Sequence, residues 1–267
     1  MSVRLSLRGV GVLAPGLNGW SAARDVLAGA TPWRDDPVAM PDVRHLPVTE
    51  RRRVNATSRW AIAVADEAAA TLDAAARASM SAVFASADGD GDVLDQTLAA
   101  LASPQPALSP TLFHNSVFNA PVGYWSIATR STGWATMICA GEGSFAAVLL
   151  EAAAQACASD GAVLCVCVDL GYPERLAALH APGRSFACGI VVDAGPVADG
   201  GFGSIEIDAA AIAPERGSAL VALAAGFAGN AAAAAIPVLA RIARRESGPV
   251  LLPGFDGQAL RVRVIAP

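Results

Sequence analysis

The stretch NAPVGYWSIATRSTGWATMICAGEGSFAAVLLE, residues 119–151, constrains the fold more than any other part of the chain. Asn119 belongs to the residues that favour helix N-caps, Pro121 is tolerated in a first turn, and the polar residues and glycine at 130–133 supply a stop. Residues 136–140 are an apolar run too short for another helix, and they are expected to form a central strand. Gly141-Glu142-Gly143-Ser144 must then turn sharply, because the helix-forming run 145–157 begins at once. A strand, a tight turn and a helix N-terminus together can present one side chain on helix amides. The remainder of the chain reads as scaffold for this unit.

Residues 3–13 (VRLSLRGVGVL) alternate as a strand does, and 21–28 follow as a short helix capped by Ser21. Four prolines and three aspartates with little periodicity make 31–49 a surface loop. Residues 55–77 carry the longest helical pattern, 81–85 a strand, and 93–101 a helix with Asp92 at its positive end. Buried strands are expected at 162–168 and 184–192, a turn at 195–203, and an edge strand at 204–208. Helices and strands in this alternation give an α/β fold. A chain of 267 residues with 54% apolar and 16% charged residues has enough apolar surface for a packed core.

Several classes of function are disfavoured by the same residues. The formal net charge is -5, and the only basic runs are Arg51-Arg52-Arg53 and Arg244-Arg245, so there is no footprint for nucleic acid. Cys165, Cys167 and Cys188 lie in apolar runs and read as small buried hydrophobes in a reducing, cytoplasmic compartment. Cys165-x-Cys167 has no companion pair, and no metal or cofactor is implied. Residues 218–240 are uncharged and near the length of a membrane span, but Gly226, Gly229, Asn230 and Pro237 interrupt a mostly alanine run, which suits packed core helices. The N-terminus lacks the apolar core of a secretory signal. The alternating aspartates of 88–92 suggest a calcium loop, yet the spacing would need glycine where Val93 stands and glutamate where Ala99 stands, so they read as a turn. His114 is the best-placed histidine, and it reads as bonding locally.

The spacing Asn119-x-x-x-Gly123, the Gly133 before the strand, and the small residues around 142 resemble the elbow of β-ketoacyl synthases, condensing enzymes of the thiolase fold. In that family the elbow carries a cysteine that accepts the acyl chain as a thioester. The ungapped match puts Glu142 at that position and leaves Cys139 three residues too early. Of the family's two catalytic histidines, one belongs to a His-Gly-Thr motif that this chain lacks. The other follows a glycine at the start of an alanine-rich helix, where this chain has Gly229-Asn230-Ala231, so Asn230 takes its place. Gly254-Phe255-Asp256-Gly257 and the strand 259–265 resemble the family's last turn and closing strand. The resemblance implies a thiolase-like layered α/β/α fold in one domain over 1–267, with the N-terminal half at 1–208 and a shortened C-terminal remnant at 209–267.

Within the family the sequence is similar to short chain-length-factor-type subunits of type II systems that make aryl polyene or xanthomonadin-like pigments. The resemblance implies a heterodimer with an active β-ketoacyl synthase that loads acyl and malonyl groups from acyl carrier protein. This chain would then shape the acyl channel with no activity alone. Asp88 and Phe113 are expected at the channel, and Trp134 and Met137 at the subunit interface. Of Phe113, Phe118, Tyr124, Trp125 and Trp134, one or two are expected to line the channel and the rest to belong to the core. Two other readings stay open: an acyltransferase, condensing or malonyl-decarboxylating enzyme using Glu142, Cys139 or Ser144, and a homodimeric acyl-binding module.

Overall fold

The computed structural model describes residues 2–159, 161–180, 182–197, 201–212, 221–254 and 258–267. In chain order come β1 (Ser2–Ala14), β2 (Leu17–Asn18), α1 (Trp20–Ala28), α2 (Val48–Arg51), α3 (Ala56–Ala68), α4 (Ala74–Ser79) and β3 (Ser81–Ala85). They are followed by α5 (Gly91–Leu101), α6 (Pro110–Asn115), α7 (Ala120–Thr129), β4 (Ala135–Ile138), α8 (Ser144–Ser159) and β5 (Val163–Asp169). The last elements are α9 (Glu174–Ala177), β6 (Phe186–Asp193), β7 (Ser204–Ile212), α10 (Val221–Gly226), α11 (Ile236–Arg244), β8 (Gly248–Pro253) and β9 (Ala259–Ile265).

Among the described residues the strands form one sheet in the order β4-β3-β5-β6-β1-β7-β9-β8, with β2 paired to the end of β1. β4, β3 and β5 are mutually parallel and the other pairs are antiparallel. β1 joins the two parts of the sheet, because residues 2–6 pair with β7 while 6–13 pair with β6. Side chains alternate across the sheet as the pleat requires. Val83 and Ala85 of β3 and Val163, Cys165 and Cys167 of β5 meet α8 on one face. Phe84 of β3 and Leu164, Val166 and Val168 of β5 meet α3 and α7 on the other. Each fully buried Phe or Leu in these layers contributes about 2 kcal/mol. The α3 backbone lies directly on the sheet, since a Cβ on Gly9, Gly11 or Gly189 would overlap the carbonyls of Ala68 or Val64. Only glycine permits that approach.

Most expected elements stand near their predicted bounds, and the exceptions have physical causes. The strand before the elbow is at the sheet's edge and is not central: β4 pairs with β3 alone, Ala135 is exposed, and Thr136, Met137 and Ile138 are half-buried. Its apolarity faces an open edge. The pattern over 55–77 is two helices, because Asp73 accepts the Ala76 amide at 2.8 Å and starts α4 afresh. Ser21 does not cap α1, whose N-cap is Gly19, and the Glu67 carboxylate takes the Trp20 amide. Asp90 caps α5 through the Val93 amide at 2.8 Å, so Asp92 is an exposed residue of the first turn. β7 lies between β1 and β9 and is not an edge strand. The expected turn at 195–203 is described only in part, since residues 198–200 lie outside the described residues, and 255–257 of the predicted final turn lie outside them entirely. Of the apolar run 218–240, residues 218–220 also lie outside, and the rest is α10, a one-turn 3-10 segment (Ala232–Ala235) and α11. Among the described residues no helix is long and apolar enough to cross a membrane.

Candidate functional site

Because β4, β3 and β5 are parallel neighbours, the loops at their carboxyl ends converge, and that end of an open α/β sheet is where ligands bind. The first loop is the elbow. Gly141–Gly143 form a single 3-10 turn, with Gly141 at φ +54°, and α8 leaves it at Ser144. The Ser144 hydroxyl is fully buried, accepts the Ala140 amide at 3.1 Å and donates to the Gly141 carbonyl at 2.8 Å. It braces the turn and is closed off as a nucleophile. Glu142 is exposed and its carboxylate accepts no helix amide, contrary to the placement on helix amides that the elbow geometry predicts. The turn's own amide at Gly143 is taken by the Ala140 carbonyl.

Cys139 is exposed just before the turn, and its thiol donates to the Ala87 carbonyl at 3.3 Å. An activated thiol needs a base beside it. The chain's three histidines are all described, and each is engaged elsewhere: His45 faces Asp66, His114 packs edge-on against Tyr124, and His180 pairs with Asp88. Asn230 is buried and its amide is fully used. It donates to the carbonyls of Asp169 and Arg184, both at 2.8 Å, and accepts the Ala233 amide at 3.2 Å. The three buried cysteines offer no nucleophile, since burial holds the Cys165 and Cys167 thiols well above their usual range and pushes Cys188 up to about 12.

Beside the elbow lies a largely apolar cavity of about 280 Å³. One wall is the turn from Asp88 to Asp90 with Val93, Leu94 and Thr97 of α5; the opposite wall is the α6–α7 link from Asn115 to Phe118 with Pro121, and Met137 of β4 closes a side. Asn115 fixes the second wall by donating to the Arg53 carbonyl at 2.6 Å and accepting the Tyr124 hydroxyl at 2.9 Å. The first wall is organised by Asp169 at the end of β5. One carboxylate oxygen accepts the Ser86 hydroxyl at 2.6 Å and the amides of Ala87 and Asp88 at 2.9 and 3.3 Å, while the other is buried without a partner. Burial therefore pushes Asp169 up to about 6 against the pull of those donors.

Asp88 lines the cavity, and so does Met137, which the sequence reading places at the subunit interface; of the five aromatics only Phe118 lines it. Phe113 does not; it is 68% exposed on α6. Trp134 stands 82% exposed at the open edge, while Tyr124 and Trp125 are core. Beside the cavity Leu94, Leu98 and Leu101 expose one stripe of α5, which packs on α6 with its exposed Phe113. Asp169, Tyr172 and His180 escaped the sequence reading, and the one signal for them is an acid that ends the apolar run Val163–Asp169.

Residues 20–220 match the family model of the β-ketoacyl synthase N-terminal domain. No curated protein matches by sequence. Among solved structures, a chain from a ketosynthase–chain length factor complex of Xenorhabdus doucetiae superposes with a TM-score of 0.74 at 19% identity, over 98% of this chain and 99% of that one. A chain of the ishigamide ketosynthase/chain length factor gives 0.70 at 14% identity, over 98% and 99%. A chain from a type II polyketide acyl-carrier protein in complex with its ketosynthase gives 0.70 at 12% identity over the full length of both. The architecture is accordingly the thiolase-like ketosynthase fold.

Proposed function

The chain belongs to the β-ketoacyl synthase family, and from that premise we propose that it is a non-catalytic subunit of chain-length-factor type. It pairs with an active β-ketoacyl synthase and shapes the acyl channel in a type II system that makes polyenes of the aryl polyene or xanthomonadin class. On this reading residues 1–208 are the retained N-terminal half and 209–267 a shortened remnant of one domain. One observation carries it: the elbow has Glu142 and no nucleophile–base pair, while an apolar cavity beside it persists next to an unpaired strand edge. Asn230, at the position of a catalytic histidine in the family, has its amide fully engaged by the backbone and has nothing left to offer an enolate.

The partner supplies the chemistry and receives substrates from acyl carrier protein. It covers Trp134, Phe113 and the Leu94–Leu98–Leu101 stripe, a set of large apolar side chains unusual for a monomer's surface. Solved complexes of a ketosynthase with its chain length factor among the structural relatives support this arrangement. The test is reconstitution of this chain with its ketosynthase and loaded carrier protein, read by product mass. Product is expected only from the pair, Trp134→Asp is expected to prevent assembly, and Met137→Trp to shorten the product of an intact complex. Sedimentation as a monomer in the presence of the ketosynthase, or an unchanged product from Met137→Trp, would refute the proposal.

A further inference from the structure

The cavity wall from Asp88 to α5 is held from outside, by residues that line no part of the cavity. Immediately after β5 the chain crosses behind this wall, and between Tyr172 and His180 it fastens to it at four points. The Tyr172 hydroxyl donates to the Asp88 carbonyl at 2.8 Å, and the Tyr172 ring lies close enough against Gly91 that a Cβ there would fall inside it. His180 Nε2 meets the Asp88 carboxylate at 2.9 Å with its ring edge-on to Tyr172. Arg175 pairs with Asp95 of α5 at 2.6 Å. The root of the segment is fastened twice more, by the Asp169 carboxylate to residues 86–88 and by Asn230 to the Asp169 carbonyl.

We infer that residues 170–180 form a strap that sets the size of the cavity, with Tyr172 and His180 as positioning residues for its Asp88–Val93 wall and Asn230 as the bolt at its root. This rests on the reading of the cavity as an acyl site. The position that holds a catalytic histidine in the family has here become part of the support for the wall. Length selection is thus expected to be altered by residues that never touch the acyl chain.

The probe is a series of N-acylethanolamines of increasing length, whose neutral heads avoid repulsion by Asp88 and Asp90, titrated calorimetrically into the full chain alone and in its complex. Each methylene added inside the cavity tightens binding about fourfold until the cavity is full, and then the gain stops. Tyr172→Phe and His180→Ala are expected to move that stopping point to longer chains, and His180→Gln, which keeps a donor for Asp88, to restore it. Gly91→Ala is expected to move it because its Cβ collides with the Tyr172 ring, and Gly91→Ala with Tyr172→Ala to relieve the collision. If the wild-type chain binds no member of the series in either form, the acyl-site reading fails and the strap with it. If the wild type binds and the stopping point is the same in every variant, the strap alone is wrong.

Discussion

The elbow and the cavity wall face the same end of the sheet and are built in opposite ways. Within the turn 141–144 the side-chain bonds are local: Ser144 closes a ring onto Ala140 and Gly141, and Glu142 projects into solvent, while Cys139 just before it makes one long-range bond, to the Ala87 carbonyl. At the wall the bonds join distant parts of the chain, with Asp169, Tyr172, Arg175 and His180 reaching back to residues 86–95, and Asn230 reaching Asp169 from the second half. Local bonds shape a turn whatever side chain it displays. Long-range bonds fix where one surface stands relative to another. On the proposed function, the contrast is that of a protein whose polar groups hold a shape and do not equip a reaction.

The strongest way to break this contrast is to remove one acceptor from each region. Asp169→Ala strands the Ser86 hydroxyl and two amides, and it is expected to cost about 3 kcal/mol in urea unfolding, with Glu142→Ala within about 0.5 kcal/mol of wild type. Equal losses at both sites would abolish the distinction. A sharper test uses pH. Folded Asp169 holds its proton more tightly than the unfolded chain does, so its contribution is most favourable below about pH 4, declines as pH rises through about 6, and is level above that. Subtracting the stability of Asp169→Asn from that of wild type at each pH should leave a fall of about 3 kcal/mol across this window. A flat difference would mean that the buried carboxyl titrates normally. A smaller effect is expected at the bolt, where Asn230→His cannot supply two donors and an acceptor from one ring and should lose about 1.5 kcal/mol by the same measurement.

The elbow was legible in the sequence because its parts are contiguous: a short apolar run, two glycines and a helix-forming segment leave one local arrangement. β1, β3 and β5 were legible from alternation or apolar runs, and β9 through the resemblance of 259–265 to the family's closing strand. The edge position of β4 was not, since Thr136, Met137 and Ile138 read alike whether a strand of this chain or of another covers them. Asp73 could stand inside a long helix or cap a new one, and only the fold decides. The strap was least legible. Tyr172 and Asp88 lie 84 residues apart, and nothing local marks a tyrosine that will rest on Gly91.

The smallest effect expected is the one that separates a subunit from an enzyme. Glu142 is exposed and makes no hydrogen bond, so Glu142→Gln removes a solvated charge and should change neither stability nor the product formed with the active ketosynthase. Glu142→Cys should be equally silent. A thiol at the elbow would have no histidine beside it, because all three in the chain are committed elsewhere, and Asn230 could not stabilise the enolate without releasing the carbonyls of Asp169 and Arg184. The measurement is acyl transfer from loaded carrier protein to each variant by intact mass, beside product formation by each complex. An acyl adduct on the introduced thiol of Glu142→Cys, with no new condensation product, is the furthest that restoring the nucleophile can go. Loss of turnover in Glu142→Gln with the complex intact would place chemistry at the elbow and reverse the contrast between the two regions.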